Sequence, residues 1–70
     1  MEILSEVTGN VWKVLVKQGD AVEAGQTLVI VESMKMEIPV DAETAGTVSL
    51  FVKEGDPIEE GMRVAEIIAS

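Results

Sequence analysis

Glu32-Ser33-Met34-Lys35-Met36-Glu37 stands at the middle of the 70-residue chain. Leu28-Val29-Ile30-Val31 precedes it and Ile38-Pro39-Val40 follows. Short apolar runs rich in β-branched residues read as strands. The spacing predicts strands over Thr27 to Glu32 and Met36 to Val40, with the lysine at the tip of the hairpin between them. A tight reversal needs positive φ and draws on Gly, Asn or Asp. The tip contains none of these. It sets a lysine between two large, flexible, apolar side chains instead. A local rule broken without a packing gain marks a place where function is expected.

On either side of this hairpin the chain repeats itself. Val16-Lys17-x-Gly19-Asp20-x-Val22-Glu23-x-Gly25 returns as Val52-Lys53-x-Gly55-Asp56-x-Ile58-Glu59-x-Gly61. The strand that follows returns too, Leu28 matching Val64 and Val31 matching Ile67. Gly9 matches Gly46 only with one residue skipped. The first half therefore carries one extra residue, which a β-bulge accommodates. In the second half Val48, Leu50 and Val52 alternate with Ser49, Phe51 and Lys53, so the first three face the core. A bulge near Trp12-Lys13 brings Val11, Val14 and Val16 onto the equivalent face. Leu15 and Phe51 then occupy matching outward positions and are expected to be only partly buried. Trp12 either contacts a partner or covers an edge beside the bulge. Pro39 points to an edge strand or an end of pairing.

The strand candidates are Glu2 to Leu4, Gly9 to Lys17, the two hairpin strands, and their counterparts in the second half. Two homologous all-β halves joined by a central hairpin predict a sandwich of two small antiparallel sheets related by a pseudo-twofold axis. The segments at Gly19-Asp20 and Gly55-Asp56 read as turns with positive φ at glycine, the aspartate side chain bonding nearby amides. A phosphate-cradling loop finds no support, since no Lys-Ser/Thr or following helix accompanies them. Glu59-Glu60 reads as a solvated loop rather than a metal site, because adjacent residues diverge in an extended chain.

The Glu32 to Glu37 stretch resembles the attachment motif of biotinyl domains, the carrier modules of biotin-dependent carboxylases. Gly9-Asn10-Val11-Trp12-Lys13-Val14 adds a resemblance to the small standalone biotin/lipoyl attachment proteins. The likeness extends over nearly the whole chain and implies one attachment domain, residues 1–70. It implies that fold's form as a flattened β-barrel, the barrel-sandwich hybrid, with the lysine hairpin at one end and the termini near the other. It implies that Lys35 carries covalent biotin, that Met34 and Met36 are read by the ligase, and that Glu32 flanks the site. The partners implied are biotin protein ligase, biotin carboxylase and carboxyltransferase subunits, with the isolated chain a monomer. Lipoyl domains share the fold but have Asp before the lysine and Ala after it. Methionine on both sides puts biotin ahead of lipoate, which stays as the alternative together with an unmodified interaction module. The Pro-Met-Pro-Gly stretch common in carboxylase carriers is Glu6-Val7-Thr8-Gly9 here, only the glycine being kept.

Composition narrows the remaining classes. The chain has no Cys and no His, and a formal charge of −8 from 13 acidic and five basic residues. Disulfides, thiolate metal sites and histidine general bases are thereby excluded. The charge disfavours nucleic acid and anionic membranes alike. The apolar runs are far too short to span a bilayer. No leader-like N-terminus is visible, so the default expectation is a cytoplasmic protein, complete in itself from its initiator Met and its two whole repeats. A lysine amine in water is protonated and becomes nucleophilic only when desolvated or deprotonated by a neighbour. An exposed hairpin supplies neither. Lys35 is accordingly expected to be the substrate of another enzyme, the chain itself being a non-catalytic carrier.

Overall fold

Alternation of period two, with β-branched side chains on the inner positions, builds nearly every element. The computed structural model describes residues 1–69, in eight strands. These are β1 (Glu2–Leu4), β2 (Gly9–Val14), β3 (Ala21–Val22), β4 (Thr27–Ser33), β5 (Met36–Asp41), β6 (Gly46–Leu50), β7 (Pro57–Ile58) and β8 (Arg63–Ile68). There is no helix among the described residues. The strands form two antiparallel four-stranded sheets, ordered β1-β8-β6-β3 and β5-β4-β2-β7.

These two orders are one order written twice. Exchanging β2 with β6, β3 with β7, β4 with β8 and β5 with β1 converts either sheet into the other, as the sequence repeat predicts. Each half lends its short middle strand to the opposite sheet: β3 pairs with β6, and β7 with β2. The expected flattened barrel is not closed, however. β1 and β5 are the outer strands of separate sheets, and a cleft of about 290 Å³, lined by Leu4, Val7, Pro39 and Asp41 among others, lies between them. Pro39 sits on the outer strand β5, opposite Ile30. A residue without an N–H on an outer strand blunts further pairing there.

The bulge falls where the repeat places it. Val11 pairs with Val31 and Lys13 with Ile30, leaving Trp12 as the extra residue. In the second half, Thr47 to Leu50 pair with Ile68 to Ala65 without a break. Val11 and Val16 are consequently buried, as are Val48 and Val52, while Leu15 keeps 54% and Phe51 45% of its surface in solvent. The core between the sheets is aliphatic, with Leu28, Val29, Val31, Val64 and Ala65 wholly buried. The only buried polar side chain is Ser5 among the described residues, and its hydroxyl donates to the Val7 carbonyl at 2.7 Å.

Both glycine-aspartate turns form as predicted. Gly19 and Gly55 have φ of 87° and 91°. The Asp20 carboxylate accepts the Lys17 N–H at 2.8 Å, and Asp56 accepts the Lys53 N–H at 2.9 Å. Gly9 and Gly46 answer a different demand. A Cβ on Gly9 would collide with the Glu32 carbonyl oxygen, and one on Gly46 with that of Ile68. Glu32 and Ile68 are themselves equivalent in the repeat, so the same close backbone approach is made once in each half.

Candidate functional site

β4 and β5 meet in a two-residue turn, Ser33 pairing with Met36 across Met34 and Lys35. Both turn residues have positive φ, 51° at Met34 and 67° at Lys35. Such φ values at both central positions make a primed turn, whose twist suits antiparallel strands. Side chains other than Gly and Asn are rare there, and each costs on the order of 1 kcal/mol or more. Met34 and Lys35 are the only non-glycine residues with positive φ among those described. The backbone strain of the chain is thus concentrated on the residues that the sequence pattern singled out.

The tip stands clear of the protein. Lys35 is exposed, Met34 is 92% exposed and Met36 64%. Exposed methionines are polarizable and adaptable and recur on recognition surfaces. Glu32 pairs directly with Glu37 across the strands, and both are exposed. Like charges facing one another destabilise a sheet slightly. The tip therefore combines strained backbone, exposed apolar side chains and a like-charge pair, none of which helps the fold.

Below the tip the backbone is held firmly. Ser33 Oγ donates to the Thr8 carbonyl at 2.6 Å. The Thr8 hydroxyl accepts the Glu60 N–H at 3.2 Å. Gly9 presses against the Glu32 carbonyl, as described above. Sequence reasoning brought Glu32, Met34, Lys35 and Met36 together, and the structure groups all four. It missed Ser33 and Thr8, although the repeat carries a signal: their counterparts are Ala69 and Ala45, which have no hydroxyl.

The start of β8 lies near this base, since Gly61 N–H donates to Ser5 O and Ser5 N–H to Met62 O. β8 then runs away from it, and the Met1 amine bonds the Ile67 carbonyl at 2.7 Å. The first residues and the end of β8 are thus remote from the lysine in a molecule 35 Å long. Trp12 is 43% exposed on the bulge. The Lys13 ammonium lies 5.5 Å from its ring centroid. No group of three or more His, Cys, Asp or Glu suited to a metal ion occurs among the described residues.

A protruding primary amine on a rigid hairpin accepts an acyl group by forming an amide, and an acyl cofactor would be held there by that bond. The residues fit such a group: Lys35 is an exposed amine at the turn, between exposed Met34 and Met36.

Comparison with known proteins agrees with this geometry. A family described as "Biotin-requiring enzyme" matches residues 1–67. The biotin/lipoyl attachment protein of Bacillus subtilis is 47% identical over 68 residues, covering 96% of this chain and 93% of that protein. The biotinylated protein TB7.3 homolog of Mycobacterium leprae is 45% identical over 67 residues, 94% of each chain. Among solved structures, the urea carboxylase of Kluyveromyces lactis superimposes with a TM-score of 0.90 at 42% identity. That match covers 97% of this chain but 6% of the carboxylase.

Proposed function

The chain belongs to the biotin/lipoyl attachment family, and from that premise we propose that it is a biotin carboxyl carrier whose attachment residue is Lys35. The observation that carries the reading is the hairpin itself. Its two strained residues present one exposed lysine between two exposed methionines. Matching a carboxylase segment in structure and sequence supports carboxyl transfer as the task. The family description and the name of the Mycobacterium leprae relative favour biotin over lipoate.

In this account a biotin protein ligase joins biotin to ATP, giving biotinyl-AMP and pyrophosphate. The Lys35 amine attacks the acyl carbon, AMP leaves, and the proton goes to a base on the ligase. Met34 and Met36 form the apolar part of the surface that the ligase reads, with Glu32 beside them. Lys35 would hold biotin through the amide so formed, and the group would supply a nitrogen able to carry a carboxyl unit, drawn from bicarbonate at the expense of ATP on a biotin carboxylase, to a carboxyltransferase. The chain catalyses none of these steps itself. It contributes a rigid mount, and a tethered group reaches effective concentrations on the order of mM at its target.

Incubation of the biotinylated chain with a biotin carboxylase, ATP and labelled bicarbonate tests the carrier role. Label recovered on the chain, and absent from Lys35→Ala, is the expected result. A biotinylated chain that never accepts label would exclude carboxyl transfer.

A further inference from the structure

The pseudo-twofold axis supplies an internal control for the region around Lys35. Features that the fold demands are present in both halves. The close approach of Gly9 to Glu32 is one, repeated by Gly46 and Ile68. The Ser33 hydroxyl bond to the Thr8 carbonyl has no counterpart, because the matching residues are Ala69 and Ala45. The half that carries this bond also carries the strained turn. Ser33 is the residue immediately before Met34 and closes the hairpin by pairing with Met36. Thr8 is fixed in its turn by the Glu60 N–H on its hydroxyl.

A two-residue turn with both side chains in the left-handed region persists only where its surroundings over-determine it. The β4–β5 pairing does part of this. The Ser33 tether adds a fixed point on the other side of β4, directly at the base of the tip. We propose that Ser33, braced by Thr8, is a positioning residue for modification: it holds the Met34-Lys35 turn in one conformation, so that the amine meets the ligase pre-oriented. The inference rests on Lys35 being the modified residue. In this proposal Ser33 acts through the backbone of the turn, by its bond to Thr8 and its pairing with Met36.

Ser33→Ala removes the tether, Ser33→Thr keeps a hydroxyl, and Thr8→Val keeps the accepting carbonyl but frees its brace. Each is assayed for thermal unfolding, for φ-sensitive HN–Hα couplings at Met34 and Lys35, for Lys35 acylation by a small N-hydroxysuccinimide ester, and for kcat and KM with a biotin protein ligase. Ser33→Ala is expected to stay folded and to react with the small ester at the wild-type rate. Its turn couplings should move toward averaged values, and its kcat/KM with the ligase should fall roughly 2- to 10-fold, the range one lost hydrogen bond supports. Ser33→Thr should restore most of the loss, and Thr8→Val should reproduce part of it. A folded Ser33→Ala with unchanged couplings and ligase kinetics would overturn the inference while leaving the function intact. A folded wild-type chain that the ligase does not modify would remove the proposed function, and this inference with it.

Discussion

Replacing Met34-Lys35 by Asn-Gly should make the protein more stable and useless as a carrier. Both residues hold positive φ, at a cost on the order of 1 kcal/mol each for ordinary side chains. Asn and Gly adopt this region readily and are the preferred pair for such a turn. Glycine also gives the unfolded chain more freedom, which takes back roughly 0.5–1 kcal/mol. Little burial is lost, since Met34 is 92% exposed and Lys35 is exposed too. The net expectation for Met34→Asn with Lys35→Gly is a gain of about 1–2 kcal/mol, which in a domain of this size raises Tm by roughly 4–16 °C. Thermal and urea unfolding followed by circular dichroism measure it, with an unchanged m-value as the sign that only stability has moved. Met34→Asn alone keeps the lysine and avoids the glycine cost, so it should show about 1 kcal/mol, half of the gain or more. A double variant no more stable than wild type would refute the claim that the tip stores strain for the sake of presenting Lys35.

Three further outcomes follow from the same geometry. Gly46→Ala forces a Cβ against the Ile68 carbonyl and should destabilise by about 1–3 kcal/mol in urea unfolding, while leaving a ligase free to modify any folded fraction. Leu28→Ala opens a cavity at a residue with no exposure and should lose about 2–5 kcal/mol in urea unfolding. Glu37→Gln relieves the pairing with Glu32 and should raise stability by a few tenths of a kcal/mol at low salt, with the difference shrinking as salt screens the exposed pair.

Much of this could be read from the residues because period two and a 36-residue repeat both leave plain traces. The one-residue offset between Gly9 and Gly46 called for a bulge, and the apolar pattern of Val11, Val14 and Val16 put it near Trp12-Lys13, where Trp12 is the extra residue. The hairpin was legible for the opposite reason: its turn residues violated turn chemistry. What stayed hidden was carried by pairings too short to have a period. β3 and β7 are two residues each, and their exchange between sheets is a matter of tertiary pairing alone. The strand predicted from Gly9 to Lys17 stops pairing as a ladder at Val14 for a related reason. The Leu15 N–H still reaches the Leu28 carbonyl at 2.9 Å, but the next segment is already turning toward β3. The expected barrel remains two open sheets because β1 and β5 each have a partner on one side only. Ser33 drew no reading of its own, because its hydroxyl bond to Thr8 joins residues 25 apart in the chain.

The most direct test of the central claim is the intact mass of the folded chain after incubation with biotin protein ligase, biotin and ATP, beside a Lys35→Ala control. The account predicts a single biotinoyl increment on the wild type and none on the control. An increment that survives in Lys35→Ala, or no increment on folded wild-type protein, would contradict it.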